Sequence, residues 1–194
     1  MATDAITAIS PPGDPSRHLP LVALEAGLAR LPAASADSGR VTLVVRRAHG
    51  ARETLERTRL TALEGVPGDA WSRRTPRDPE AQLAVMRREV AELIANGQSL
   101  TMFGDNLFVD LDISAANLPT GTRLRVGEAI VEVTRKPHNG CVRFKGRFGA
   151  DALRFVQAPA TRDQNFRGIY WKVVEPGEVG IGATIQVLSR GSRG

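Results

Sequence analysis

The chain of 194 residues contains one cysteine, which excludes an internal disulfide and any zinc site built from several cysteines. Its three histidines leave little for a histidine-rich metal site. Aromatic residues are only 5%, too few for a platform on which the bases of single-stranded nucleic acid stack. No apolar run approaches the ~20 residues of a membrane-spanning helix, so we expect no membrane partner.

Hydrophobic residues make up 42% and charged residues 24%, which is usual for a globular domain. Lysine and arginine (26) outnumber aspartate and glutamate (21), and the net charge of +5 favours an anionic partner. The sequence that begins at Met1 has no basic region followed by a long apolar one. We therefore expect no secretory signal and a cytoplasmic location, where a lone thiol stays reduced. Nucleic-acid binding is a further hypothesis, ranked behind the two functions described at the end of this section, and it would require a steep salt dependence of binding.

The patterns divide the chain into an N-terminal extension (1–40), a β-rich domain (41–188) and a frayed tail (189–194). Within the extension, leucines recur at helical spacing and predict one short amphipathic helix that Pro32 ends. These leucines are Leu21, Leu24, Leu28 and Leu31. The simplest interpretation is a helix that packs one face on the main domain.

Many short strands separated by glycine and proline turns indicate a barrel or a sandwich from residue 41 onward. We predict strands over residues 41–47, 53–63, 106–109, 122–126, 129–134, 168–174 and 184–188, and a short helix over 149–156.

Residues 78–97 allow two interpretations. Asp78 and Pro79 are good first residues of a helix that Asn96 would close. Alternatively, residues 82–86 form a short strand and leave the helix to residues 87–95, because periodicity alone does not settle a short apolar run.

The cysteine lies in the most informative stretch, residues 134–149. Five basic residues surround Cys141, and no carboxylate lies between positions 132 and 151. Cationic neighbours favour the thiolate, the form that attacks, carries sulfur or binds a metal. A turn at residues 139–140 places the thiol on a loop after a strand, where backbone amides can also face an anion. The basic residues are Arg135, Lys136, Arg143, Lys145 and Arg147.

Cys141 and His138 each also allow an interpretation without catalytic function. A single cysteine is often a small buried hydrophobe with no chemistry. His138 could act as a base for the thiol, or it could be a solvent-exposed loop histidine. Trp71 and Trp171 are expected to serve packing rather than ligand binding.

Five segments occur in the order of one known family. They are residues 64–71 (EGVPGDAW), 104–109 (GDNLFV), 118–127 (LPTGTRLRVG), 137–149 (PHNGCVRFKGRFG) and 168–182 (GIYWKVVEPGEVGIG). With them the chain resembles the MOSC domain, named for the C-terminal domain of molybdenum cofactor sulfurases, in a small stand-alone bacterial-type form. The resemblance runs from about residue 41 to residue 187. It implies a mostly β fold with short helices, a closed and mainly antiparallel β-barrel.

The resemblance also implies a role for Cys141, since the family's cysteine is thought to carry sulfur as a persulfide or to bind the molybdenum of molybdopterin. A thiolate suits such a metal. Arg143, Lys145 and Arg147 are candidates to hold the phosphate of the pterin. An extended segment would place all three on one face, whereas a helical turn would scatter them.

Two further positions match polar residues of the family's glycine-flanked segments. Asp69 and Asn106, like His138, are candidate cofactor contacts, and both are also ordinary turn-forming residues. The chain has no aminotransferase-like domain, so we expect no pyridoxal phosphate site within it. It also lacks a ferredoxin-type cysteine cluster, so electrons or sulfur would come from a partner protein.

Two functions follow as hypotheses. The first is a molybdenum-cofactor-binding or sulfur-carrying enzyme, an oxidoreductase that reduces N-hydroxylated or N-oxide substrates or a sulfur transferase, with Cys141 as catalytic group or molybdenum ligand. The alternative is a non-catalytic binding module for an anionic small molecule, in which the cysteine is inert and structural.

Overall fold

A computed structural model describes residues 12–191, which form ten strands and four α-helices. The strands are β1 (Ser38–Arg47), β2 (Arg52–Thr54), β3 (Arg57–Leu60), β4 (Leu83–Arg87), β5 (Leu107–Val109), β6 (Arg123–Val126), β7 (Ala129–Val133), β8 (Ile169–Glu175), β9 (Gly177–Gly180) and β10 (Thr184–Ser189). The helices are α1 (Leu21–Leu28), α2 (Arg88–Ala95), α3 (Val142–Phe148) and α4 (Ala150–Val156).

Seven of the strands close into a barrel in the order β10-β6-β7-β8-β4-β5-β1, with β1 returning to β10. Neighbours are antiparallel except for β4 and β5, which run parallel. Strand β2 extends β1 outside the ring, and β3 pairs with β9 as a separate ribbon. The expected closed, mainly antiparallel barrel is therefore confirmed, and closure removes the free edges that a sheet otherwise exposes.

The interior of the barrel is packed with side chains that alternate along the strands. In β7 and the first part of β8, every second residue points inward and is buried. Trp171 at the centre is fully buried, which confirms its expected packing role. A second apolar cluster lies outside the barrel and joins the helices, with Phe103 stacked on Phe148 at a centroid distance of 4.1 Å.

Residues 78–97 adopt the second of the two interpretations. Asp78 caps only a short 3-10 helix, Pro79–Ala81, and the chain then enters β4 and α2. Asn96 ends α2 in the left-handed conformation with a φ of 45°. The apolar run forms a strand because it pairs with β8 on one side and β5 on the other.

The single strand predicted over residues 53–63 is wrong. The segment breaks into β2 and β3 because the two halves pair with different partners, β1 and β9. The other predicted strands and the helix at residues 150–156 are confirmed within one or two residues, apart from three extra residues at the start of β1. The helix predicted from Leu21 through Leu31 is confirmed from Leu21 but ends three residues earlier, at Leu28. Strand β9, which has glycine at both ends, was not predicted.

At the proposed domain boundaries, β1 begins at Ser38 and pairs with β10 before residue 41. In the proposed tail, Ser189 ends β10, and the Arg190 guanidinium donates to the side chains of Asp37 and Asn117. The start of the extension (1–11) and the end of the tail (192–194) lie outside the described residues. None of the helices within residues 12–191 has the length and apolar character to cross a bilayer.

Candidate functional site

The thiol lies at the start of a helix. Cys141 is exposed and occupies the N-cap position of α3, where its carbonyl accepts a hydrogen bond from the Lys145 N–H at 3.0 Å. The segment after the cysteine is thus helical, and the basic residues scatter. Arg143 and Arg147 are one turn apart on the same face, and Lys145 projects elsewhere. Arg147 is 6% exposed, whereas the other two are exposed.

Arginines from four separate segments converge below this thiol. We call Arg47, Arg52, Arg143, Arg147 and Arg167 the arginine cluster. Burial, together with the charges of Arg147, Arg47 and Arg143, lowers the pKa of Arg52 to about 10. Burial and the charges of Arg143 and Arg167 likewise lower the pKa of Arg147, against the opposing influence of Cys141. Burial is the larger cause of both shifts, and the remaining repulsion among cations brought together in this way is typical of a site for an anion.

Two buried carboxylates pair with the cluster within residues 12–191, Asp69 with Arg47 and Asp105 with Arg167. Asp105 has no exposed surface, and its Oδ2 accepts a hydrogen bond from Arg167 Nη1 at 2.7 Å. Burial raises the pKa of Asp105, while Arg167, Arg47 and Arg52 act in the opposite direction. Within residues 12–191, its second oxygen, Oδ1, has no hydrogen-bond partner and lies 3.5 Å from Nδ1 of His138, which has none either.

His138 lies inside the site rather than on an exposed loop, with 6% of its side chain exposed. Its ring packs on Tyr170 at a centroid distance of 4.3 Å. Burial and the charges of Arg167 and Arg47 hold the pKa of His138 well below its ordinary value, so the imidazole is neutral at pH 7. Burial and the Asp105 carboxylate raise the pKa of Tyr170.

Asp69 and Asn106 use their polar atoms within the protein. The Asp69 carboxylate accepts from the backbone N–H of Arg47 at 2.7 Å and that of Trp71 at 3.0 Å, and it pairs with the Arg47 guanidinium. Burial alone would raise the pKa of Asp69, but the hydrogen bonds and charge of Arg47 bring it below its ordinary value. Asn106 accepts from the Ala84 N–H at 3.1 Å and donates to the Val45 carbonyl. Both side chains therefore hold the frame of the site.

Several residues of the site were not singled out from the sequence, namely Arg47, Arg52, Asp105, Arg167 and Tyr170. Asp105 precedes Asn106 in a segment that did attract attention, but no local pattern tells which of the two enters the cluster. Arg47 ends a predicted strand in a pair of arginines, which is the one signal available for it. Arg167 is 62 residues from Asp105, its partner, so only the fold brings them together.

Comparison with known proteins identifies the fold family. The model of the MOSC domain matches residues 60–186. The chain belongs to the MOSC domain family. This family is associated with molybdenum cofactor binding and sulfurase proteins.

Individual relatives are more distant. The uncharacterised protein YflK of Bacillus subtilis (strain 168) is 31% identical over 103 residues, which cover 53% of this chain and 44% of that protein. The matched part is thus less than half of that relative's length. A crystal structure of a hypothetical protein is 23% identical with a TM-score of 0.59 and covers 80% of this chain and 70% of its own. YuaD from Bacillus subtilis shares the fold at 16% identity and a TM-score of 0.59, with 77% of this chain and 95% of that chain covered. YiiM from Escherichia coli shares it at 22% identity and a TM-score of 0.52, with 79% of this chain and 72% of that chain covered.

Proposed function

We propose that this MOSC protein binds the molybdenum cofactor or carries sulfur on Cys141, with the arginine cluster holding the anionic part of the ligand. The observation that carries the proposal is the position of an exposed thiol beside a buried excess of positive charge. Asp69 pairs with Arg47 and Asp105 pairs with Arg167. Within residues 12–191, neither Arg143 nor Arg147 forms an ion pair with a carboxylate.

The residues present fit the cofactor that the family suggests. Guanidinium groups suit a phosphate because they donate planar, charge-assisted hydrogen bonds. A thiolate suits a soft metal, and no group of three or more His, Cys, Asp or Glu in residues 12–191 offers a protein-only metal site. Two buried polar atoms that have no hydrogen-bond partner in the part of the chain the structure describes, Asp105 Oδ1 and His138 Nδ1, also lie next to the cluster.

Each residue then has a stated task. Cys141 would be the protein ligand of the metal, and Arg143 and Arg147 would bind the phosphate. Asp69 would fix Arg47 through four hydrogen bonds, from the Arg47 backbone N–H, Nε and Nη2, and Asp105 would fix Arg167. Two-electron chemistry, such as the reduction of N-hydroxylated or N-oxide substrates, would come from the bound cofactor.

Sulfur transfer requires only the thiol and a donor protein, without a bound cofactor. The Cys141 thiolate attacks the outer sulfur of a donor persulfide, a new S–S bond forms on Cys141, and the donor's S–S bond breaks. The donor leaves as a thiolate, so the step needs no external oxidant or reductant. A reducing cytoplasm would keep the thiol available between cycles.

Either route needs a partner protein, and the surface beside the thiol suits an acidic one. Val142, next to Cys141, is 85% exposed, which is unusual for a large apolar side chain. Arg143 and Lys145 are exposed beside it. We propose that a sulfur donor or an electron carrier with a negatively charged surface docks here.

The test is elemental analysis of protein expressed in a host that makes the molybdenum cofactor. We expect near-stoichiometric molybdenum in the wild type and in the control Val142→Ala, and none in Cys141→Ala. If none of the three holds molybdenum, intact-mass analysis of the wild type should show one added sulfur atom on Cys141.

The alternative function, a non-catalytic module for an anionic small molecule, keeps the arginine cluster but needs an inert cysteine. The exposure of Cys141 argues against it. Absence of both molybdenum and added sulfur, together with labelling by a thiol reagent no faster than that of a free model thiol, would favour it.

A further inference from the structure

The C-terminal end of α3 is completed by residues from outside the barrel. The last carbonyls of a helix have no partner within it. The Lys145 carbonyl accepts from the Gly149 N–H at 2.8 Å, which leaves the Arg147 carbonyl to be satisfied elsewhere. It accepts from His18 Nε2 at 3.1 Å and from Gln98 Nε2 at 3.2 Å. Because a carbonyl only accepts, Nε2 of His18 is the donor in this contact.

The N-terminal extension fits closely against this carbonyl. A Cβ placed on Gly13 would lie 2.0 Å from the Arg147 oxygen, so only glycine allows the approach. The His18 ring lies so close to Gly149 that a Cβ there would be 3.0 Å from it. The Asp14 N–H donates to Gln98 Oε1 at 2.8 Å, so the extension and Gln98 hold each other as well as the carbonyl.

The same arginine connects this contact with the thiol. The Arg147 side chain runs into the cluster, where Nη1 donates to the Met102 carbonyl and its charge interacts with Cys141. Helix α3 has only seven residues, so a shift at its C-terminal end moves Cys141 at its start. The extension thus fixes the backbone of Arg147, and the Met102 carbonyl, in the connection between α2 and β5, holds its guanidinium.

We propose that residues 13–18 of the extension are a positioning element of the Cys141 site, acting through His18 on the Arg147 carbonyl. This proposal rests on the proposed function only in taking the surroundings of Cys141 as the functional site. The element lies before residue 60, where the match to the family begins.

The test compares two alkylating reagents on cofactor-free protein, the anion iodoacetate and the neutral iodoacetamide. The ratio of their rate constants at Cys141 reports the positive potential at the thiol, and a loss of overall stability alone does not change it. We expect His18→Ala to lower the ratio about threefold or more, because α3 is released at its C-terminal end and Cys141 moves away from the Arg147 guanidinium that the Met102 carbonyl holds. His18→Gln, whose amide can donate to the same carbonyl, should restore it.

Arg30→Ala is the matched control, since it removes one charge from the extension at an exposed side chain. An unchanged ratio in His18→Ala, or an equal drop in Arg30→Ala, would overturn the proposal. Gln98→Ala removes the second donor to the carbonyl and provides the measurement if His18→Ala does not fold; its ratio must then fall too. Molybdenum content, measured separately, decides the proposed function, so the two can fail independently.

Discussion

The buried carboxylate at the centre of the arginine cluster gives the sharpest prediction. Asp105→Asn keeps the size of the side chain and an acceptor for Arg167, but it removes the charge. Arg167 is 8% exposed and would remain as a buried cation among other cations. Stability should therefore fall, whereas affinity for an anion should rise, because the positive potential at the site increases.

The two effects have workable magnitudes. Removing one partner of a buried ion pair costs about 3–5 kcal/mol, and the retained hydrogen bond puts this case near 3. For a chain of this size, that lowers Tm by about 6–12 °C. A unit charge at an effective dielectric near 20 changes the binding of inorganic phosphate by about 1 kcal/mol after screening, or roughly fivefold in Kd.

Urea unfolding gives the free energy, and calorimetric titration with inorganic phosphate gives the Kd. Asp163→Asn is the control, because Asp163 is exposed and its side chain makes no hydrogen bond or ion pair within residues 12–191. If Asp105→Asn and the control both stay within about 0.5 kcal/mol of the wild type, or if phosphate binds more weakly to Asp105→Asn, the account of the cluster is wrong.

Three further predictions concern the frame of the site. The pKa of His138 is depressed in the folded protein, so the unfolded chain binds more protons at pH values below 6.5. The free energy of unfolding therefore decreases as the pH is lowered, by up to about 1.4 kcal/mol per pH unit. Urea unfolding between pH 7.5 and 5.5 should show a smaller loss in His138→Gln. The pKa of Asp69 is also depressed, so its stabilising pair with Arg47 is complete above about pH 4 and lost as pH falls through the lower folded value; Asp69→Asn should flatten the acid side of the stability curve. Gly168→Ala should cost more than about 2 kcal/mol by thermal or urea unfolding, because φ is +101° and the new Cβ would lie 2.3 Å from the Val85 carbonyl oxygen.

Strand positions were largely predictable because a strand with one buried face shows alternating apolar and polar residues in its local sequence. Residues 129–133 and 169–173 alternate between buried and partly exposed, as their sequences suggested. The break between β2 and β3 left no such trace, since it depends on which distant strand each half pairs with.

The basic residues around Cys141 look equivalent in sequence, and the fold divides them. Lys136 pairs with Asp78, 58 residues away, and the backbone N–H of Arg135 donates to Glu80 at 3.1 Å. Arg147 turns inward, and Lys145 stays in solvent. Only long-range contacts separate a neutralised cation from one available to a ligand, so no local pattern could have ranked them.

An odd number of strands has a consequence for the ring. Seven strands cannot all alternate in direction around a closed circuit, so at least one neighbouring pair must be parallel, here β4 and β5. A parallel pair cannot be joined by a hairpin and needs a long crossover, which residues 88–106 supply. That crossover re-enters the barrel at Asp105 and Asn106, so the buried carboxylate lies at the end of the connection that the parallel pair requires. Shortening the crossover to a tight turn would reverse β5 and break the circuit.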